Sequence, residues 1–274
     1  MPLVAVHGAF TSGLSFSPLL DRPPAGCRVI APDLPGHGIS PVSAEPFRTW
    51  ADLSERIVAL IEAMHLSDVC LIGHSMGGGI CAVTAAASQN RIRGLVLLNS
   101  ATLPFSLPFK GRIPLLPVVG ELVFYHIYGE RMFFKFFRDD VFFDTSKIDP
   151  ECISAYFRGF NRNRTAALQA IRITSNPRFV EACLPDIACP TLVAWGRNDS
   201  LIPLFVAEQT ARRIPNASLA FIDACGHAPL EEQPEQTLNI ITAFWEETLV
   251  NAASDSSSSG AEQRGPGLPN LSQE

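Results

Sequence analysis

Six short runs of apolar and β-branched residues recur along the chain: LVAV (3–6), RVIA (28–31), VCLI (69–72), LVLL (95–98), TLVAW (191–195) and SLAFI (218–222). A strand buried on both faces reads as continuous apolarity, because neither face meets water. Longer stretches of helical character lie between these runs. Residues 50–66 carry apolar side chains at 53, 57, 60, 61 and 64, the spacing of one helix face. Residues 203–215 and 234–250 are further helix candidates, the second opening on a proline suited to a first turn. Buried strands alternating with helices predict an α/β fold, a doubly wound, mainly parallel sheet with helices on both faces and right-handed crossovers.

Two segments break the alternation. Residues 102–185 carry a proline-rich entry, several helix candidates and a phenylalanine-dense stretch, and hold eleven Lys or Arg against eight Asp or Glu. They read as a helical cap or lid inserted into a core formed by 1–101 and 186–250. Residues 251–274 are polar and rich in Gly and Ser, without apolar period, and are expected to be a disordered tail.

The 274-residue length suffices for one large core domain, and a formal net charge of −6 argues against a nucleic-acid partner. Seven cysteines without a C-x-x-C pair suit neither a disulfide framework nor a zinc site, so no metal or cofactor is expected. The opening MPLVAVHGAF lacks the charge pattern of a signal peptide, and no apolar run reaches the ~20 residues of a membrane span. A cytoplasmic protein is the expectation.

Gly73-His74-Ser75-Met76-Gly77 follows the third run directly and opens a stretch of small residues. G-x-S-x-G at a strand-to-helix turn forces the serine into a strained bend, with glycines relieving the crowding. A phosphate loop is the rival reading, but the lysine-bearing pattern of such loops is missing. A serine hydroxyl needs a base and an orienting carboxylate, in the chain order Ser, acid, His. His227, just past the last run and preceded by Gly226, is the candidate base. Asp199, four residues after the fifth run, is the candidate acid, with Asp223 as runner-up; the NSATLP loop after the fourth run offers no carboxylate. His7 and His74 flank the turn and are candidates to line the site, whereas His37, His65 and His126 fall in a turn, a helix end and the insertion. Oxyanion donors are expected from the Met76 N–H and from the turn after the first run, through Ala9 or its neighbour Phe10.

VHGAF, DLPGHGIS (33–40), GHSMGG (73–78), WGRND (195–199) and CGHAPLEEQPE (225–235) together resemble the α/β-hydrolase family, in its serine esterase- and lipase-like branch with a helical lid. The resemblance implies the Ser75, Asp199 and His227 triad, and makes DLPGHGIS a structural turn. Relatives usually carry two more strands before the H-G turn, so either a minimal sheet of about six strands or a truncated start is expected here.

The resemblance implies hydrolysis of a carboxylic ester through an acyl-enzyme. Candidate substrate contacts are Phe10, His74, Phe133, Phe137, Arg158 and Arg162. The phenylalanines would line an acyl pocket or simply pack the lid, and with Arg131, Lys135 and Arg138 they could form a lipid-interface helix. Arg158, Arg162, Arg164 and Arg172 could attract an acyl carrier protein, as in the biotin-pathway methyl ester esterases of this family. A C–C bond hydrolase and a non-catalytic binder of the same fold compete with the esterase reading.

Overall fold

The computed structural model describes residues 1–42, 47–105, 115, 116 and 118–250, and the tail at 251–274 lies outside them. The six runs form β1 (Pro2–Val6), β2 (Arg28–Ile30), β3 (Val69–His74), β4 (Ile92–Leu98), β5 (Thr191–Gly196) and β6 (Ala217–Ile222). They build one parallel sheet in the order β2-β1-β3-β4-β5-β6. Three helices interleave with the first four strands: α1 (Ser17–Asp21), α2 (Trp50–Ala63) and α3 (Met76–Ala87). Between β4 and β5 come α4 (Val119–Leu122), α5 (Glu130–Phe136), α6 (Pro150–Arg162), α7 (Arg164–Thr174) and α8 (Arg178–Cys183). The chain closes with α9 (Leu204–Arg213), α10 (Pro229–Glu232) and α11 (Pro234–Phe244).

Side chains alternate across each strand and so divide the core in two. Val4, Val6, Leu71, Leu97 and Trp195 pack with Trp50, Leu53, Ile57 and Ile61 of α2 on one face. Leu3, Ala5, Ile72, Val96 and Ala194 pack with Phe16, Leu19, Leu238 and Ile241 on the other. Helix α2 begins where it does because Thr49 and Asp52 cap it reciprocally: Asp52 N–H donates to the Thr49 hydroxyl (3.1 Å) and Thr49 N–H to the Asp52 carboxylate (3.0 Å). The expectation of strands buried on both faces fails at the rims. Ser218 and Leu219 of β6 and Arg28 of β2 are exposed, because an edge strand has one paired flank and incomplete helical cover.

From β1 the chain runs outward to β2, then crosses back to β3 and continues the opposite way. The carboxyl ends of β1 and β3 therefore flank the switch point of the sheet, where open α/β sheets leave a crevice. Val6 pairs in register with Gly73, so the turns after these two strands leave the sheet side by side. The helices between β4 and β5 gather an aromatic cluster that includes Phe124, Phe133, Phe137, Tyr156 and Phe160. Phe10, Leu201 and Ala228, from the loops after β1, β5 and β6, pack against it. Among the described residues no helix is long and apolar enough to cross a membrane.

The closest approach of backbone in this region is at Gly77, where an added Cβ would overlap the Val6 carbonyl oxygen at the end of β1. That atom is sheet backbone and cannot swing aside. Gly77→Ala is expected to lower stability by about 3 kcal/mol, read as a lower urea midpoint with an unchanged m-value.

Candidate active site

Ser75 sits between β3 and α3 with φ 55° and ψ −119°, a conformation that a side-chain-bearing residue rarely adopts. Such a residue costs on the order of 1–3 kcal/mol and persists only when its surroundings over-determine it. Here both its backbone groups are pinned by the end of β4. Ser75 N–H donates to the Leu98 carbonyl (3.0 Å), and the Ser75 carbonyl accepts from Ala101 N–H (2.9 Å) and Gly78 N–H (3.1 Å). A Cβ on Gly73 would overlap the backbone of Gly77 and Gly78, so the bend closes only with glycine there. The serine is left half-buried at the top of the sheet.

Asp199 and His227 come from the loops after β5 and β6. His227 Nδ1 donates to Asp199 Oδ2 at 2.8 Å, with the two side chains 6% and 1% exposed. Every lone pair of the carboxylate is directed. Oδ2 also accepts from Asn99 Nδ2 (2.7 Å), while Oδ1 accepts from the N–H groups of Leu201 (2.8 Å) and Ile202 (3.0 Å). Burial, the largest single influence, would raise the carboxyl's pKa. The His227 ring, the Asn99 amide and the Ile202 N–H together outweigh it and hold Asp199 below its ordinary value. The runner-up acid, Asp223, instead pairs with Arg197 on the surface.

Asn99 carries no motif in the sequence and lies in a loop whose only visible trait there is the lack of a carboxylate. It adopts φ 43°, accepts from Gly196 N–H (3.3 Å) and donates both to Asp199 and to the Gly226 carbonyl (3.2 Å). Its polar character at a strand end is the one signal the sequence offers, and an acidic partner 100 residues away leaves no local trace.

The His227 loop is braced from three sides. His74 Nε2 donates to the His227 carbonyl (2.6 Å), and His227 N–H donates to the Val141 carbonyl of the insertion (2.7 Å). Glu232, fully buried, accepts Gly226 N–H (2.6 Å) and Phe143 N–H (2.8 Å) through its two oxygens. His74 thus differs from the expectation of a substrate contact, because its ring is committed to the loop that carries His227. Burial, then the proximity of His227, pushes its pKa down to about 3, so it stays neutral.

His7 and His37 build the turn after β1. His7 Nδ1 donates to the Gly8 carbonyl (2.7 Å) while its Nε2 accepts Leu34 N–H (2.9 Å). That pattern fixes the neutral tautomer, in keeping with a pKa pushed to about 3 by burial and then by His37. His37 Nε2 donates to the Ala9 carbonyl (2.9 Å). Asp33 accepts Gly13 N–H (2.7 Å) and Ile39 N–H (2.8 Å), so DLPGHGIS is a braced turn behind the H-G loop. In a trans peptide the N–H points opposite the preceding carbonyl. Anchoring the Gly8 and Ala9 carbonyls therefore sets the direction of the Ala9 and Phe10 N–H groups. Among the described residues no hydrogen bond occupies the N–H of Ala9, Phe10 or Met76.

The remaining candidates are distributed differently from expectation. Phe133 and Phe137 are fully buried, with ring centroids 5.0 Å apart, and pack the insertion's own core rather than an open pocket wall. Phe10 joins that core, its ring 5.5 Å from Phe136 and 5.7 Å from Phe160. The lipid-interface helix loses its apolar face for the same reason, and Lys135 and Arg138 both pair with Asp139. The arginine set disperses too. Arg164 donates to the Phe124 (2.6 Å) and Tyr128 (2.8 Å) carbonyls, Arg172 pairs with Glu121 and Arg162 reaches the Gly38 carbonyl (3.2 Å). Arg158 is exposed.

Known proteins share this arrangement of sequence and fold. The chain is 28% identical over 248 residues to the uncharacterized hydrolase YugF of Bacillus subtilis, covering 88% of this chain and 89% of that protein. It is 28% identical to the pimeloyl-[acyl-carrier protein] methyl ester esterase of Aromatoleum aromaticum, covering 87% of this chain and 96% of that protein. The fold superposes on an esterase from Exiguobacterium antarcticum with a TM-score of 0.76 at 21% identity, over 90% of this chain and 92% of that one. The profile of the alpha/beta hydrolase family matches residues 3–240, from the first strand to the last long helix. With that match spanning most of its length, the chain belongs to the alpha/beta hydrolase family.

Proposed function

We propose that this protein hydrolyses carboxylic esters with Ser75 as nucleophile, His227 as general base and acid, and Asp199 as the orienting carboxylate. The observation that carries this reading is the buried 2.8 Å contact between His227 Nδ1 and Asp199. It fixes the proton on Nδ1 and leaves Nε2 as the basic atom. His227 lies close to the bend that exposes Ser75, its ring centroid 5.0 Å from that of His74, the residue before the serine.

In this mechanism Ser75 Oγ attacks the ester carbonyl and its proton passes to His227 Nε2. The carbonyl oxygen gains the negative charge and accepts from the Met76 N–H and from Ala9, with the Phe10 N–H as the alternative second donor. Collapse expels the alcohol, which takes the proton from Nε2, and leaves Ser75 acylated. Water then attacks the acyl carbon and gives its proton to Nε2, and the second collapse returns that proton to Ser75 Oγ. Asp199 stays ionised throughout and stabilises the imidazolium formed in each half-reaction.

A carrier-linked methyl ester is the second reading, favoured by the relative from Aromatoleum aromaticum. Of the arginines at 158, 162, 164 and 172, Arg158 on the insertion surface has the fewest commitments, so a carrier would meet a thinner basic patch than the sequence suggests.

A fluorophosphonate probe should label the native protein and leave Ser75→Ala unlabelled, with p-nitrophenyl ester hydrolysis falling at least about a thousandfold. Labelling of Ser75→Ala at the native rate would overturn the assignment. Asn99→Ala removes a charge-assisted hydrogen bond from Asp199 and should lower kcat/KM by about 10- to 100-fold. For the carrier reading, the Arg158→Glu, Arg162→Glu double variant should lose activity on a carrier-linked ester while keeping it on a small one. Equal losses on both would exclude a carrier contact there.

A further inference from the structure

Two adjacent carboxyls on α10 follow His227 by four and five residues, and both hold the insertion. Glu232 does so through backbone donors alone, the N–H groups of Gly226 and Phe143. Glu231 is built differently: its Oε1 accepts the Tyr156 hydroxyl at 2.9 Å and the Cys152 thiol at 3.8 Å. These two donors lie one turn apart on α6, so both point from the same face of that helix. Beside the carboxyl is a cavity of about 10 Å³ lined also by Ser15, His74 and Leu98, space on the order of one water.

We propose that Glu231 is a positioning residue for His227: through Tyr156 and Cys152 it holds α6 against the His227 loop, and its protonation state sets how firmly that loop is held. The inference rests on the reading of His227 as the base for Ser75. The mechanical link is short. Ala228 is buried in the aromatic cluster of the insertion, and His227 N–H bonds to Val141 at 2.7 Å, so a shift of the insertion is passed directly to the base.

The groups facing Glu231 are Tyr156, Cys152 and Asp149 from α6, His227 from its own segment, and His74 across the small cavity. Burial is the largest influence and pushes the Glu231 carboxyl up to about 7. The Tyr156 and Cys152 bonds and the His227 ring pull it down, and Asp149 pushes it up. Burial also raises the Cys152 thiol to about 12 and the Tyr156 hydroxyl well above its ordinary value, so both remain donors. A carboxyl raised in the folded state stabilises the fold fully below its unfolded value. That contribution is lost as pH rises through the folded value, here towards 7.

The test compares native protein, Glu231→Gln and Tyr156→Phe between about pH 5 and pH 8. The native Tm is expected to fall across this window by several degrees relative to Glu231→Gln, which keeps the acceptor but cannot ionise. The ratio of native to Glu231→Gln kcat/KM on a p-nitrophenyl ester should change with pH, with its midpoint near 7. In Tyr156→Phe, where the carboxylate loses a donor, that midpoint should move to higher pH. A Tm gap constant with pH, or a pH profile that Glu231→Gln leaves unchanged, overturns the proposal. Failure of fluorophosphonate labelling would instead overturn the nucleophile assignment, and the Tm comparison, which needs no activity, still reads Glu231.

Discussion

The four residues at the end of β4, Leu98 to Ala101, are the constraint on which the rest of the site depends. Leu98 and Ala101 hold the N–H and carbonyl of Ser75 in a conformation the serine would otherwise leave. Between them, Asn99 turns through a positive φ and directs the Asp199 carboxylate. One strand end therefore fixes Ser75 and Asp199 relative to each other, although they lie 124 positions apart in the sequence. Strain at Ser75 is tolerable because β3 and β4 beneath it are internal strands, each paired on both sides and almost wholly buried.

The histidines divide the labour in a way that their residue type does not announce. His7, His37 and His74 are buried, and their pKa values are lowered first by that burial, which leaves neutral rings suited to directional hydrogen bonding. Each donates to a carbonyl of a loop at the sheet's carboxyl edge. The loops therefore owe their shape to imidazoles packed behind them. His227, by contrast, is held through its own N–H and carbonyl, by the Val141 carbonyl and the His74 ring, with its own ring turned to Asp199.

The insertion is bound into the same network. Its aromatic core includes Phe10 and Ala228, and its backbone accepts from His227 and donates to Glu232. Packing of the insertion and geometry of the His227 loop are thus one problem in energetics. The phenylalanines that suggested a pocket lining are mostly consumed in that packing, because a helical layer this small needs its large rings to make a core of its own.

The sequence by itself determined the six strands, their parallel alternation with helices and the placement of Ser75, Asp199 and His227 at strand ends. These features are local: continuous apolarity marks a strand, and G-x-S-x-G, a post-strand Asp and a Gly-His turn each carry their signal within a few residues. Tertiary structure alone decided which polar groups serve those residues. Asn99, His37 and Glu232 look like ordinary loop and helix residues until segments far apart in sequence bring their partners to them. The same holds for Glu231, whose environment is made by a helix 75 residues earlier in the chain. Burial and hydrogen-bond pairing across such separations leave no period or spacing in the sequence, since they depend on the path of the chain between the partners.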